Sequence, residues 1–283
     1  MGLILRMGIL GALLLGGGTG ACAQQAVETS RQDRGVVSMT AYAPKATACR
    51  GVAIISPGAG GSAQGYRFLG EIMSSLGYLS VVVGHQESGR RALREHLRGN
   101  GLRDGLAELI TDPEAYRGRF MDVVAARRWA GGRCASGESL LIGHSMGAAT
   151  AMMEAGARNK LGIRGADAFS AYVALAPQGP GTIFPDDAWT AIRKPVLLLT
   201  GTRDDDIGGT GWQTRTEAFR SMPPGCKWLG VIDGASHWNF AGRGQSRDTE
   251  ALTAQTIGAF LDAMQRGDCV ARIRPHGMKL ETK

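Results

Sequence analysis

The stretch Leu141-Ile142-Gly143-His144-Ser145-Met146-Gly147-Ala148-Ala149 decides how the chain is read. An apolar run enters a G-x-S-x-G and leaves into a segment rich in alanine and methionine, the strand, turn and helix that this motif requires. Such a turn is strained, so Gly143 and Gly147 spare it side chains that would clash, and Ser145 is lifted above the sheet edge. Glycine makes up 43 of 283 residues, about twice the usual ~7%. The bare pattern therefore arises easily by chance, and its structural context carries the reading.

Working outward, short runs at 52–56, 79–83, 139–143, 172–175, 196–200 and 228–232 are almost continuously apolar. Strands of that kind are buried on both faces, the condition of a parallel sheet covered by helices. Helical patterns fill the intervals at 63–76, 113–130, 146–157, 212–221 and 248–265, the last with Leu252, Ile257, Phe260, Leu261 and Met264 at helical spacing. Residues 36–42 alternate apolar and polar and predict antiparallel edge strands. No break in composition and no repeat divides 24–283, so one doubly wound, mostly parallel α/β domain is expected, and its length supports a sizeable core.

A serine hydroxyl needs a base within hydrogen-bond reach, and the base needs a carboxylate to orient it. The strand at 196–200 delivers Gly201-Thr202-Arg203-Asp204-Asp205-Asp206, and the strand at 228–232 delivers Asp233-Gly234-Ala235-Ser236-His237. Ser145, Asp204 and His237 thus follow one another after successive strands, with Asp205, Asp206 and Asp233 as alternative acids.

At these residues the chain resembles the α/β-hydrolase family, in the branch of dienelactone-hydrolase-like, PAF-acetylhydrolase-like and polyester-hydrolase-like enzymes. Ser56-Pro57-Gly58-Ala59-Gly60-Gly61, the run from Gly143 to Gly147, Thr200-Gly201-Thr202-Arg203-Asp204 and Gly234-Ala235-Ser236-His237 carry the resemblance, which covers most of 24–283. It implies Ser145 as nucleophile, His237 as general base and then acid, and Asp204 as the carboxylate. An oxyanion hole would use the amides of Met146 and Ala59, with Gly60 as the alternative. The resemblance implies ester hydrolysis without cofactor or metal. Acyl transfer or perhydrolysis by the same triad, and a silent binding protein on the same scaffold, are the competing readings. From the family's strand order, Cys49 is expected to pair with Cys134, and Cys226 with Cys269.

Other residues have weaker readings. The loop 178–194 is the longest late connection, which makes Gln178, Phe184 and Trp189 candidates to flank a bound ester, and Trp238 beside His237 a candidate pocket wall. Core packing competes for the three aromatics. His85 reads as a structural hydrogen-bonding residue, His144 as pointing away into packing, and His96 and His276 as exposed. The absence of a large lid insertion favours an open site.

The formal charge of +7 is dispersed among acids without a block of like charge, which argues against nucleic acid as partner. A small-molecule, lipid or polymeric ester is the expected partner, and oligomeric state is silent. Residues 1–23 carry one charge, Arg6, an apolar run at 7–16 and Ala21-Cys22-Ala23, which together predict a secretory leader too short to span a bilayer and a chain beginning at Gln24. A lipid anchor on Cys22 competes, but Thr19 stands where a large aliphatic residue is expected. The four remaining cysteines suit two bridges in a periplasmic or secreted protein. The stretch from about 267 reads as a basic tail.

Overall fold

The computed structural model describes residues 24–205 and 209–283, the side chains of 99 and 100 excepted. The expected leader with Cys22, and the alternative acid Asp206, lie outside the described residues. The strands are β1 (Gln24–Ser30), β2 (Val36–Tyr42), β3 (Gly51–Ser56), β4 (Tyr78–Gly84), β5 (Ser139–His144), β6 (Ala171–Leu175), β7 (Val196–Arg203), β8 (Lys227–Ser236) and β9 (Met278–Thr282). They form one sheet in the order β1-β2-β4-β3-β5-β6-β7-β8-β9. The six strands from β4 to β8 in that order are parallel, while β1, β2 and β9 run antiparallel at the two edges.

Alternation along each parallel strand sorts the core into two faces. Ile54, Leu141, Leu198 and Leu229 pack on one side with α3 (Pro113–Gly131) and α4 (Met146–Glu154). Ile55, Ile142, Leu197 and Trp228 pack on the other with α1 (Arg67–Ser75) and α6 (Arg247–Arg266), and the short α5 (Glu217–Ser221) precedes β8. The side chain of Asp112 accepts the Glu114 amide and Pro113 opens the first turn, so α3 begins with both favourable N-terminal features. Gly267, at φ 71°, stops α6.

Three elements depart from the sequence reading. β1 pairs with β2 although its run is mostly polar, because an edge strand needs backbone partners more than a buried face. The helix α2 (Arg90–Thr111) was not expected; its basic composition gives little apolar periodicity, and Gly101 at φ 74° interrupts it. The segment read as a basic tail ends in β9, which covers the edge of β8 from Trp228–Thr282 to Ile232–Met278. Met278 and Leu280 turn inward while Lys279 and Glu281 pair outside, an alternation that the surrounding charges obscure.

Cys49 is bonded to Cys134 and Cys226 to Cys269, the same pairs that the resemblance implied. The first joins the entry of β3 to that of β5, and the second ties the start of β8 to the chain leaving α6. Among the described residues, no helix is long and apolar enough to cross a membrane.

Chain order sets the position of the site. From β3 the chain moves outward to β4, then returns across β3 to β5 on the other side. At such a reversal the loops leaving two adjacent parallel strands diverge, and a crevice opens outside their carboxyl ends. Those loops begin at Pro57 and at Ser145.

The Cys49–Cys134 bridge joins residues 85 apart. Replacing both by alanine is expected to lower stability by about 2–4 kcal/mol while leaving turnover of the folded protein unchanged, measured by urea denaturation beside an ester assay.

Candidate active site

Ser145 sits between β5 and α4 with φ 54° and ψ −118°, a conformation an L-residue holds only when its surroundings impose it. The imposing contacts are backbone. A Cβ on Gly143 would overlap the carbonyl of Gly147, and one on Gly147 would overlap the carbonyl of Ser56. The first turn of α4 is thereby pressed against the end of β3, and the Ser145 amide is held by the Leu175 carbonyl at 3.0 Å. Met146 is the first residue of α4, where N–H groups have no intrahelical acceptor.

The loop after β3 lies over this turn. A Cβ on Gly58 would stand 3.2 Å from Cβ of Ser145 and 3.1 Å from Nδ1 of His144, so a side chain there would crowd both neighbours by a few tenths of an ångström. Its amides are then spoken for in turn: Gly58 donates to the Tyr66 hydroxyl at 3.0 Å, Gly60 to the Ser88 carbonyl at 2.8 Å, and Gly61 to the Gly58 carbonyl at 3.0 Å. Gly60 is thereby committed elsewhere, whereas Ala59 N–H has no acceptor among the described residues.

His237 follows β8, and its Nδ1 lies 2.8 Å from Oδ1 of Asp204, a carboxylate oxygen that accepts from it. Asp204 is fully buried; its Oδ2 takes the Thr200 hydroxyl at 2.9 Å, and Nε of Arg215 stands 3.1 Å from Oδ1. Among the alternative acids, Asp205 instead accepts the Trp212 amide, and Asp233 accepts the Thr202 hydroxyl on the exposed turn of β8. Gly201 has no room for a Cβ because the Ala235 carbonyl occupies that space, which draws the loops of Asp204 and His237 together. The His237 ring lies 4.8 Å from that of His144, the residue before Ser145. The sequence reading missed Arg215, since a single arginine in the one-turn helix Trp212–Thr216 has no motif around it. Buried, it donates to the carbonyls of Asp204 and Pro177 at 2.5 and 2.9 Å and fixes the two loops around the acid.

The remaining candidates divide. Trp238 is 56% exposed, edge-on to His237 at 5.8 Å, with the Arg243 guanidinium 5.7 Å above its ring. Gln178 leaves β6 half-buried, two residues beyond Ala176, and its Oε1 has no partner among the described residues. For Trp189 and Phe184 the competing reading holds: both are buried and pack on each other at 5.2 Å within the core, away from any ester. The loop 178–194 closes one face of the sheet instead of lining the crevice, because its apolar residues cover α4 and β6. His96 is half-buried, bonding the Ala92 carbonyl, and His276 is exposed.

His144, expected to point into packing, has a ring that is buried but faces polar partners, Nδ1 meeting the Tyr66 hydroxyl at 2.8 Å and Nε2 the His237 carbonyl at 3.0 Å. His85 is hydrogen bonded as expected, but in a string that spacing did not reveal. Its Nε2 meets Ser56 Oγ at 2.9 Å and its Nδ1 meets Asp122 at 2.9 Å. Arg119, fully buried, donates to Ser56, Ser88 and Thr150 at 3.0, 2.6 and 2.9 Å and also to the Pro57 carbonyl. Burial holds His85 and His144 well below the usual histidine range, with Arg119 adding to the effect at His85 and His237 at His144. Burial also pushes Asp122 up to about 7 against the pull of Arg31 and Arg119.

No family model and no curated protein sequence matches the chain. Solved structures do. An esterase of Pyrococcus furiosus matches over 85% of this chain and 92% of its own, at 17% identity and a TM-score of 0.58. A dienelactone hydrolase of Anabaena variabilis matches over 86% and 98%, at 18% identity and 0.56. An alpha-beta serine hydrolase homologue from Coxiella burnetii matches over 82% and 97%, at 16% identity and 0.57. The chain therefore has the α/β-hydrolase fold as a single domain, as the sequence motifs implied.

Two predictions follow from the buried charges. Arg215→Met leaves the Asp204 carboxylate buried without its cation and is expected to cost about 3–5 kcal/mol in chemical denaturation. For the histidines, the unfolded chain binds protons near pH 6.5 that folded His85 and His144 refuse, so stability falls as pH drops below about 6.5. Asp122 works in the opposite sense between about 4 and 7, because the folded state holds its proton to higher pH. Two groups outweigh one, so the urea midpoint should fall from pH 7 to pH 5, and more steeply in Asp122→Asn.

Proposed function

We propose that the protein is an exported serine hydrolase that cleaves carboxylic esters through an acyl-enzyme, with Ser145 as nucleophile, His237 as base and Asp204 as the orienting acid. The observation that carries this reading is the 2.8 Å bond between His237 Nδ1 and buried Asp204, beside the strained turn of Ser145. With Nδ1–H donated to the carboxylate, Nε2 keeps a lone pair for the serine proton.

In this mechanism Ser145 Oγ attacks the ester carbonyl as His237 accepts its proton. The oxygen of the tetrahedral intermediate takes up negative charge, and the amides of Ala59 and Met146 are the donors aimed at it, an interaction worth roughly 3–4 kcal/mol per donor in comparable sites. Collapse expels the alcohol, which takes the proton from His237. Water then attacks the acyl-enzyme by the same route and releases the acid.

Trp238 offers an apolar wall exposed beside His237, and half-buried Gln178 a side-chain oxygen without a partner among the described residues. Both suit a small, lipid or polymeric ester reached from solvent. Two bridged cysteine pairs and the leader read in 1–23 support a periplasmic or secreted location. The esterase and dienelactone hydrolase among the structural neighbours agree with ester chemistry.

The test is a fluorophosphonate adduct read by intact mass, beside turnover of p-nitrophenyl esters from acetate to palmitate. One adduct per chain is expected, absent in Ser145→Ala, which also loses turnover. Asp204→Asn should lower kcat by about 10⁴-fold, whereas Asp205→Asn should stay within a few-fold of the parent. An adduct that persists in Ser145→Ala rejects the assignment. Trp238→Ala should raise KM for long acyl chains more than for acetate.

A further inference from the structure

Three parts of the proposed machinery are joined by a single string of hydrogen bonds, buried except at its partly buried His237 end, whose direction is forced at each step. The carbonyl of His237 can only accept, so Nε2 of His144, 3.0 Å away, carries a hydrogen. His144 is buried and neutral, so its Nδ1 is an acceptor and the Tyr66 hydroxyl, at 2.8 Å, donates to it. The hydroxyl oxygen is left to accept from the Gly58 amide at 3.0 Å, which can only donate. Gly58 N–H, Tyr66 O–H and His144 Nε2–H therefore each have one partner, in one order, without a choice of tautomer.

The string joins elements that are far apart in sequence. Gly58 precedes Ala59, the proposed oxyanion donor. His144 precedes Ser145. His237 is the proposed base. Tyr66 is buried and holds a left-handed conformation, φ 57°, at the start of α1, which places its ring beneath the loop after β3. From the other side of that loop, Arg119 holds the Pro57 carbonyl and the Ser88 carbonyl holds the Gly60 amide. Ala59 is thus flanked by peptide groups that are individually tethered.

We propose, resting on the triad reading above, that Tyr66 and His144 are positioning residues for acyl transfer. Through Tyr66 Oη and the His144 ring, they hold the Pro57–Gly58 peptide, which adjoins the one carrying the oxyanion donor, and the backbone of His237 at a fixed separation across Ser145. Neither residue touches the substrate or exchanges a proton with it. Their effect is on the geometry of attack, so it falls on kcat and spares substrate binding. Cutting the string at either end releases the same constraint.

Tyr66→Phe cuts it at the oxyanion loop. His144→Asn cuts it at His237, since an amide at the Nδ1 position keeps an acceptor for Tyr66 but does not reach the His237 carbonyl. Each variant of the full chain is expected to lose roughly 10-fold or more in kcat on p-nitrophenyl acetate, with KM within about 2-fold. The rate of fluorophosphonate labelling should fall in parallel, with the final stoichiometry still one per chain. The double variant should be no slower than the slower single. A parental kcat per labelled site in Tyr66→Phe, or independent losses that multiply in the double variant, would overturn the proposal. Should the variants not fold, nitrogen-15 NMR of the parent decides: the Nε2–H tautomer of His144 is expected, and the Nδ1–H tautomer or a charged ring rejects the string. A parent without adduct or turnover would instead reject the hydrolase reading itself, which separates the two failures.

Discussion

The contact on which the site depends is between two backbones. The α-carbon of Gly147 meets the carbonyl oxygen of Ser56 so closely that no side chain fits, and Gly143 meets Gly147 in the same way. The end of β3 and the first turn of α4 are thereby fixed against each other. Ser145 is left on the strained bend that joins β5 to α4, with a positive φ that costs on the order of 1–3 kcal/mol. Packing of the two core faces meets that cost, because β5 lies in the middle of the parallel sheet and α4 is buried along its length. The strain is thus held by the most stable part of the fold, where a small residue at two positions is a steric necessity.

Around this contact the interior is unusually polar. Arg119, His85, Ser56 and Asp122 lie together beneath the loop after β3, and Arg215 lies beside Asp204. Burying such groups is costly unless each finds partners, and here the strings run without a break: Arg119 to Ser56 to His85 to Asp122, which also meets Arg31 at 3.4 Å. A hydrophobic filling of the same space would hold the sheet as firmly. It would not hold the Pro57 carbonyl or the loop of Asp204, because those are polar backbone groups that need directional partners.

How much of this was legible in the sequence depends on the range of the interaction. The parallel strands could be read because burial on both faces leaves an apolar run visible in a few consecutive residues. Ser145, Asp204 and His237 stood out as candidates because each follows such a run within a few positions, and the last two meet at 2.8 Å. α2 and β9 were hidden by their charges, which mask periodicity in elements that bury only one side. Trp189 stands between two readings because a long loop suggests exposure while a large aromatic suggests burial, and its ring fills the core beside Phe184. Tyr66, His144, Arg119 and Arg215 act through partners 8 to 93 residues away, and no local pattern records such pairings.

Beside the proposed triad the molecule holds another serine, histidine and aspartate that are hydrogen bonded in series, and the two sets differ in what would set a nucleophile apart. Ser56 has a histidine at 2.9 Å and a carboxylate behind it, as a triad requires. Yet Ser56 is fully buried in the last position of a strand, and its oxygen already accepts from Arg119 while facing His85. No ester can approach it, and its hydroxyl is saturated on both sides. Ser145 differs by its backbone: a positive φ turns it out of the sheet, it is half-exposed, and the Ala59 amide and the start of α4 present unsatisfied donors nearby. The residue types of a triad therefore decide little by themselves. Under the proposed reading, reactivity belongs to the serine whose backbone is bent toward solvent and toward free N–H groups, while the same three side chains folded inward serve as a brace for the loop that completes its site.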